Sequence, residues 1–322
     1  MSESQTPLVS VIIASYKHRR YILDALASVY AQETEFPYEV IVVDSGGDGT
    51  VELVQERFPQ TRVVALQERA YPGTARNAGI EIARGEIFAF TDTDCIVDRH
   101  WLSELVAAHH QGYPVVGGVV KNGTRWSLFG TLDYLMECSD LMTPHATTKK
   151  KFFGTGNVSF RREIFNTYGK FADQVKGSDN MYFRKIHASG QALYWTAKAV
   201  IWHRNRTQLK KILRNQYDLG VGAAQNRKLN RVQGHIFVEY PILIPLIPLV
   251  RIFTIGAHIL RSSALQFLLY LLLLPLVLLS LIWYSAGFYA GQKKSVSGGW
   301  HNIGKKNDIN NLEHMVSFSA DK

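Results

Sequence analysis

The chain has 322 residues, 46% of them hydrophobic, which is enough for one large α/β domain with an additional segment or for two domains. Its 36 basic and 27 acidic residues give a formal net charge of +9, which favours a polyanionic partner: nucleic acid, an anionic membrane or a phosphorylated ligand. Two cysteines, Cys95 and Cys138, exclude a disulfide framework and a zinc cluster and suit a reducing compartment.

Residues 9–94 alternate between strand-like and helix-like patterns. The predicted elements, in chain order, are a strand at 9–14, a helix at 20–32, a strand at 39–44, a helix at 50–58, a strand at 62–66, a helix at 75–84 and a strand at 86–91. We expect Asp48 or Thr50 to cap the second helix and Thr74 to cap the third. This alternation predicts an α/β fold with a mainly parallel sheet flanked by helices.

Polar clusters follow three of these strands. They are Ala14-Ser15-Tyr16, Asp44-Ser45-Gly46 and Asp92-Thr93-Asp94. Because ligands of parallel sheets bind at the carboxyl ends of the strands, we expect the three clusters to line one edge. The two carboxylates separated by one residue, Asp92 and Asp94, fit turn chemistry and also fit a site for a hard cation.

Residues 101–203 are less regular. The predicted elements are a helix at 101–110, a strand at 114–120, a glycine-rich turn with a strand and a helix start at 154–165, a helix at 177–190 and a strand at 193–203. The three lysines at 149–151 predict a solvated loop. His203 ends the last strand, either as a site residue or as an ordinary core or surface histidine.

The segment 236–290 is nearly all apolar. Its part 264–290 carries no charge and exceeds the ~20 residues that span a bilayer. The part 240–260, with three prolines and Arg251, is a second span or a segment in the membrane interface. Basic residues on both sides predict a hairpin that turns near 261–264 with both ends in the cytoplasm. The alternatives are one span with an in-plane helix, or a buried core helix.

Six motifs in the first two thirds of the chain, in this order, resemble those of the inverting family 2 glycosyltransferases with the GT-A fold. They are residues 10–29, 39–50, 73–95, 154–162, 177–179 and 200–203. The resemblance implies a nucleotide-sugar donor, a Mg²⁺ or Mn²⁺ ion, and transfer with inversion at the anomeric carbon. Together with the apolar segment and its basic flanks, it divides the chain into a GT-A catalytic domain (1–205), a basic interfacial helix region (206–235), a transmembrane hairpin (236–290) and a cytoplasmic tail (291–322).

The resemblance also assigns the donor side of the site. It implies that Asp94 binds the metal directly, that Asp92 contacts the ribose or the hydrated metal, and that His203 joins the metal. Asp44 would contact a uracil-type base or its ribose, although Ser45 replaces a second acidic residue of relatives and leaves the base open. The remaining donor-binding residues are Ala14, Ser15, Tyr16, Arg76 and Thr93. Cys95 stands where relatives have a third acidic residue, and we expect it to be structural.

On the acceptor side, Asp179 matches the family's general base, and Ser178 replaces the glutamate that precedes it in relatives. The alternative for Asp179 is a helix cap. Arg214 and Gln216 lie in a basic stretch that resembles an interfacial helix near a membrane acceptor. The same basic stretch fits a solvated surface. Nucleic acid is not expected, because the basic residues adjoin the apolar segments and no nucleic-acid motif accompanies them.

The resulting prediction is a glycosyltransferase of the inner membrane that faces the cytoplasm. It would use a nucleotide-sugar, with UDP-sugars favoured, and glycosylate a lipid or lipid-linked saccharide in exopolysaccharide or cell-envelope synthesis. The alternatives are a polyprenyl-phosphate glycosyltransferase and a subunit that binds nucleotide-sugars without catalysis.

Overall fold

A computed structural model describes residues 6–142, 148–150, 153–173 and 177–293. Its described residues up to 121 and from 148 to 203 form one compact unit, and those at 122–142 and 204–293 form a second. The second unit therefore takes in residues 122–142, which lie inside the predicted catalytic domain. The division into four regions stays a prediction.

Nine strands of the described residues form one mixed sheet with the order β3-β2-β1-β4-β8-β6-β9-β5, and β7 pairs with β9. The strands are β1 Val9–Ser15, β2 Tyr38–Asp44, β3 Arg62–Ala65, β4 Ile87–Asp92, β5 Cys95–Val97, β6 Val115–Asn122, β7 Thr148–Lys150, β8 Asn157–Arg161 and β9 Leu193–His203. The first four strands pair in parallel, whereas β8 pairs antiparallel with β4 and β6, and β9 pairs antiparallel with β5 and β7. The predicted sheet flanked by helices is confirmed, with antiparallel strands on one side.

Helices connect the strands and make up most of the second unit. They are α1 Arg19–Tyr30, α2 Thr50–Arg57, α3 Pro72–Ile82, α4 Trp101–His110, α5 Leu128–Glu137, α6 Arg162–Tyr168, α7 Ser178–Ala188, α8 Leu209–Asn230, α9 Ile236–Glu239, α10 Ile247–Ser262, α11 Ala264–Leu272 and α12 Leu274–Lys293, with a 3₁₀ turn at Pro241–Leu246.

Three local predictions are wrong. The helix α2 follows Gly49 in the left-handed region and has no side-chain cap. The helix α3 begins at Pro72, two residues before Thr74, because proline fits the first position of a helix. Lys149 and Lys150 lie in strand β7 and not in a loop, because pairing with β9 overrides their polar character; Lys151 lies outside the described residues.

The strands β1, β2 and β4 form the centre of the first unit. Their burial is almost continuous, as expected for parallel strands covered on both faces. Phe90 of β4 packs its ring edge against Phe160 of β8 and Phe171. This aromatic cluster fixes β4, and with it the position of the acidic residues that follow it.

In the second unit, the helices α8 and α12 pack closely through glycines. A Cβ atom on Gly220 would lie 2.0 Å from the carbonyl oxygen of Tyr284, and one on Gly287 would lie 2.0 Å from that of Tyr217. Only residues without a side chain permit this approach of two helix backbones.

Two apolar helices of the second unit, Pro241–Ser262 and Leu274–Lys293, are long enough to be membrane spans. A break falls at Ser263, inside the predicted turn. The stretch 264–290 is further divided at Leu273, between α11 and α12. Sixteen of the twenty exposed large hydrophobic side chains among the described residues lie between Ile236 and Tyr289.

Candidate functional site

Parallel pairing brings the three predicted polar clusters to one edge of the sheet. Ala14 of β1 is opposite Asp92 of β4, and Ser15 is opposite Asp44 of β2. The backbone N–H of Ser45 donates to the carbonyl of Ser15 at 3.0 Å, so the pairing continues past the end of β2. The carboxyl ends of β1, β2 and β4 therefore form a common polar surface.

Two buried polar atoms at the ends of β1 and β2 have no hydrogen-bond partner among the described residues. They are Oδ1 of Asp44 and Oγ of Ser15. The other carboxylate oxygen of Asp44 accepts from the backbone N–H of Gly46 at 2.9 Å. Since buried polar groups without partners are costly, these two atoms are suited to bind a polar ligand. Nearby, the guanidinium of Arg69 lies 4.7 Å from the ring centre of Tyr16.

Arg76 extends from α3 into the same edge. It is buried, and its guanidinium donates to Oδ1 of Asp92 at 2.6 Å, so it is not a surface charge of the helix. Its Nε atom has no partner among the described residues. The carboxylate of Asp92 is partly exposed. An arginine held in this way offers positive charge to an anionic ligand at the edge.

Thr93 is buried, and its hydroxyl lies 2.5 Å from Nδ1 of His18, the residue before α1. This contact joins the loop after β4 to the loop after β1. His18 was not identified from the sequence, since a single histidine before a helix gives no signal of its own.

Asp94, Cys95 and His203 converge on one point. Cys95 of β5 is directly opposite His203 of β9, and Asp94 precedes Cys95. Nε2 of His203 lies 3.6 Å from Oδ1 of Asp94, and the Cys95 thiol lies 3.9 Å from that oxygen. One donor atom from each residue lies within 4.8 Å of the others. Donors bound to one ion at about 2.0–2.3 Å lie at most about 4.6 Å apart. The two distances to Oδ1 of Asp94, 3.6 Å and 3.9 Å, are within this limit, so the set is suited to a divalent cation.

Asp92 is not part of this converging set and is paired with Arg76, so its predicted contact with the metal stays a prediction. Cys95, expected to be structural, lies among the candidate ligands. In the sequence, this role of Cys95 is indicated only by its position directly after Asp94. The register that places it opposite His203 is not visible in the sequence.

Asp179 lies in the first turn of α7, and Gly177 occupies the cap position, so the interpretation of Asp179 as the helix cap is wrong. Its carboxylate accepts from the backbone N–H of Asn180 at 2.8 Å. Burial raises the pKa of Asp179, Arg76 opposes this effect, and the negative charge of Asp92 adds to it. Asp179 is thus electrostatically coupled to the Arg76–Asp92 pair, and its raised pKa is suited to a proton acceptor.

Helix α3 positions α7. A Cβ atom on Gly73 would lie 2.2 Å from Oγ of Ser178, so the two helix ends are in very close contact. Four residues further along α3, the amide of Asn77 donates to the carbonyl of Phe171 at 2.9 Å and to Asp173 at 3.0 Å. These anchors were missed because they join parts of the chain about a hundred residues apart.

The two residues predicted for the acceptor side in the basic stretch lie on α8, in the second unit. Gln216 is buried and its amide donates to the Glu137 carboxylate, whereas Arg214 is exposed. Burial raises the pKa of Glu137, and Asp133 adds to the effect. Asp133 in turn accepts from the backbone N–H of Arg206 at 2.8 Å. The roles of Arg214 and Gln216 stay predictions.

Comparison with known proteins gives a consistent assignment. Residues 10–169 match the family described as Glycosyl transferase family 2. The glycosyltransferase AglE of Haloferax volcanii is 27% identical over 71% of this chain and 77% of its own length. The putative teichuronic acid biosynthesis glycosyltransferase TuaG of Bacillus subtilis is 41% identical over 27% of this chain and 36% of its own length.

Two solved structures share the fold. The mannosyltransferase PcManGT from Pyrobaculum calidifontis, in complex with GDP-Man and Mn²⁺, has a TM-score of 0.59 at 22% identity, with 90% of this chain and 89% of that chain covered. S. aureus TarS 1-349, in complex with UDP-GlcNAc, has a TM-score of 0.50 at 17% identity, with 88% and 90% covered.

Proposed function

The chain belongs to the family 2 glycosyltransferases with a GT-A fold, and we propose that it transfers a sugar from a nucleotide-sugar to a membrane-associated acceptor with inversion at the anomeric carbon. The observation that carries this proposal is the coupling of Asp179 to the Arg76–Asp92 pair at the edge where the strands β1, β2 and β4 end. A relative named for teichuronic acid biosynthesis favours a role in the synthesis of an envelope polysaccharide.

The donor would bind along the carboxyl edge of the parallel strands. The partnerless atoms of Asp44 and Ser15 can accept from or donate to the nucleoside. Ala14 near the end of β1, Tyr16 just after it and Thr93 after β4 would line the neighbouring surface. The solved neighbours hold GDP-Man and UDP-GlcNAc, which supports a nucleotide-sugar donor. A preference for UDP stays our prediction.

Asp94 and His203 would hold a divalent cation, Mg²⁺ or Mn²⁺. Such an ion, when bound, neutralises the negative charge that grows on the leaving diphosphate. The Mn²⁺ in the complex of PcManGT supports this part of the proposal. Arg76, paired with Asp92, would add positive charge on the donor side of the site.

Asp179 would act as the general base. Inversion requires a group that removes the proton from the acceptor hydroxyl while that oxygen attacks the anomeric carbon. Because burial raises the pKa of Asp179, its carboxylate is a better proton acceptor than an exposed aspartate, and the positive charge of Arg76 opposes this rise. Ser178, next to it at the start of α7, would contact the acceptor.

Replacement of Asp179 by Asn tests the catalytic assignment. We expect release of nucleotide from the donor to fall by about 10²–10⁴-fold, because the general base is lost. Glu163→Gln is the matched control, since Glu163 is an exposed acid in the first turn of α6, and it should retain full activity. If Asp179→Asn transfers sugar as fast as the original protein, Asp179 is not the general base and the catalytic assignment fails.

The second unit supports an acceptor in the membrane. The two candidate spans and the exposed hydrophobic side chains favour insertion into the inner membrane, with the catalytic unit in the cytoplasm. A cavity of about 500 Å³ in this unit is lined by Leu209, Lys210, Leu213, Arg214, Tyr217 and Trp283. Apolar walls with two basic side chains one helical turn apart, Lys210 and Arg214, fit a lipid that carries a phosphate. This favours a polyprenyl-phosphate as the carrier or acceptor.

Brominated lipids in nanodiscs test this part of the proposal, because bromine quenches tryptophan fluorescence on contact. We expect stronger quenching by brominated phosphatidic acid than by brominated phosphatidylcholine, and loss of that difference in Lys210→Gln/Arg214→Gln. Lys211→Gln, exposed on another face of α8, is the matched control and should keep it. Equal quenching by both lipids in the original protein would exclude a phosphate site in the cavity.

A further inference from the structure

The thiol of Cys95 lies in the candidate metal site, not in a separate apolar core. Antiparallel pairing of β5 with β9 places Cys95 directly opposite His203, and side chains at opposite positions have Cβ atoms about 4.5–5.5 Å apart. Asp94 precedes Cys95 and reaches the same point, where its Oδ1 atom lies 3.9 Å from the Cys95 sulfur. Three different donor types thus converge within 4.8 Å.

Gly156 lies beside both this sulfur and the carboxylate of Asp92. A Cβ atom there would lie 3.7 Å from Sγ of Cys95 and 3.0 Å from Oδ2 of Asp92. The sulfur is therefore close to the surface on which the donor phosphates would bind, although Cys95 itself is buried. A cysteine that served only for packing would need neither the carboxylate nor the imidazole beside it.

We propose that Cys95 is a third protein ligand of the cation, through its thiolate, together with Asp94 and His203. This inference rests on the metal site of the proposed function. On binding, the S–H bond breaks, a sulfur–metal bond forms, and the proton passes to the solvent. Thiolate and imidazole donors select borderline and softer ions, so the site discriminates against Mg²⁺ more strongly than a site built from oxygen ligands does. The affinity should rise from Mg²⁺ through Mn²⁺ to Co²⁺.

Titration of the purified full chain with Co²⁺ detects a sulfur ligand directly. Cobalt bound to a thiolate shows an intense near-ultraviolet charge-transfer band that oxygen and nitrogen ligands do not give. We expect this band in the original protein and its loss in Cys95→Ser. Cys138→Ser is the matched control, because Cys138 is also buried but lies in the second unit, and it should keep the band.

Affinities measured by calorimetry complete the test. Cys95→Ser should weaken Co²⁺ binding by about tenfold or more, with a much smaller change for Mg²⁺, while Cys95→Asp should raise the affinity for Mg²⁺ relative to Co²⁺. The inference is overturned if the original protein binds Co²⁺ without the band, or if Cys95→Ser leaves the band intact. If Asp94→Asn also leaves Co²⁺ binding unchanged, the metal site of the proposed function fails as well.

Discussion

The close contact between Gly73 of α3 and Ser178 of α7 leads to a specific prediction about catalysis. In Gly73→Ala, the new Cβ would lie 2.2 Å from Oγ of Ser178, 3.0 Å from its Cβ and 3.2 Å from the carbonyl oxygen of Ala172. Rotation of the Ser178 hydroxyl relieves the first contact, but the other two remain tight. The start of α7, which carries Asp179, must therefore move by several tenths of an ångström.

Activity and stability should respond differently. Alanine is favoured over glycine in a helix by about 1 kcal/mol, while overpacking costs about 1–3 kcal/mol, so the free energy of unfolding should fall by at most about 2 kcal/mol. A misplacement of about 1 Å can reduce a rate by 10²-fold. For this smaller shift we expect kcat for nucleotide release in Gly73→Ala to fall by about tenfold or more, which corresponds to at least about 1.4 kcal/mol of transition-state stabilisation.

A double-mutant cycle tests the explanation. Ser178→Gly removes the two nearest of the three atoms that crowd the new methyl group, so the double variant Gly73→Ala/Ser178→Gly should recover most of the activity of Ser178→Gly alone. Thermal melts of all four proteins report stability, and nucleotide release reports kcat. The reasoning is refuted if Gly73→Ala keeps full activity, or if its loss adds to that of Ser178→Gly without rescue.

Three further predictions follow from individual side chains. In Asp94→Asn, calorimetry should show weaker binding of divalent cations, and nucleotide release should fall by about a thousandfold, or about 4 kcal/mol; unchanged release in EDTA would refute a metal role. Burial lowers the pKa of His109 from 6.5 to about 4. Its neutral form therefore stabilises the fold above pH 6.5, and about 3 kcal/mol should be lost as the pH falls to 4; denaturant unfolding across this range checks it, with His109→Gln expected to show a flatter profile. In Arg76→Ala, the pKa of Asp179 should rise further, so the acidic limb of the pH–rate profile should move to higher pH; an unmoved limb would contradict the coupling.

Much of the sheet edge could be predicted because its causes are local. Apolar, β-branched runs ending in Ser15, Asp44 and Asp92 predict buried parallel strands, and parallel strands place their carboxyl ends together. The structure confirms this geometry through the register of β1 with β2 and β4. The contact between Arg76 and Asp92 is also comparatively local, because only 16 residues separate them and the helix α3 is followed directly by the strand β4.

Other features of the site depend on contacts between distant segments. Hydrophobic periodicity identifies a strand but not its neighbour, so nothing in the sequence places Cys95 opposite His203. The approach of Gly73 to Ser178 is likewise set by how α3 and α7 pack. Helix caps were predicted poorly, because a proline at the start of α3 outweighed Thr74.

The sequence by itself therefore determined the family, the order of strands and helices over residues 9–92, and the acidic residues at the strand ends, because residue types and spacing specify local conformation. Only the tertiary structure decided which of these residues meet. It paired Asp92 with Arg76, brought Cys95 to Asp94 and His203, and placed residues 122–142 with the C-terminal helices. Those outcomes depend on burial and strand pairing between segments far apart in the chain, where the free energy of packing selects the partner.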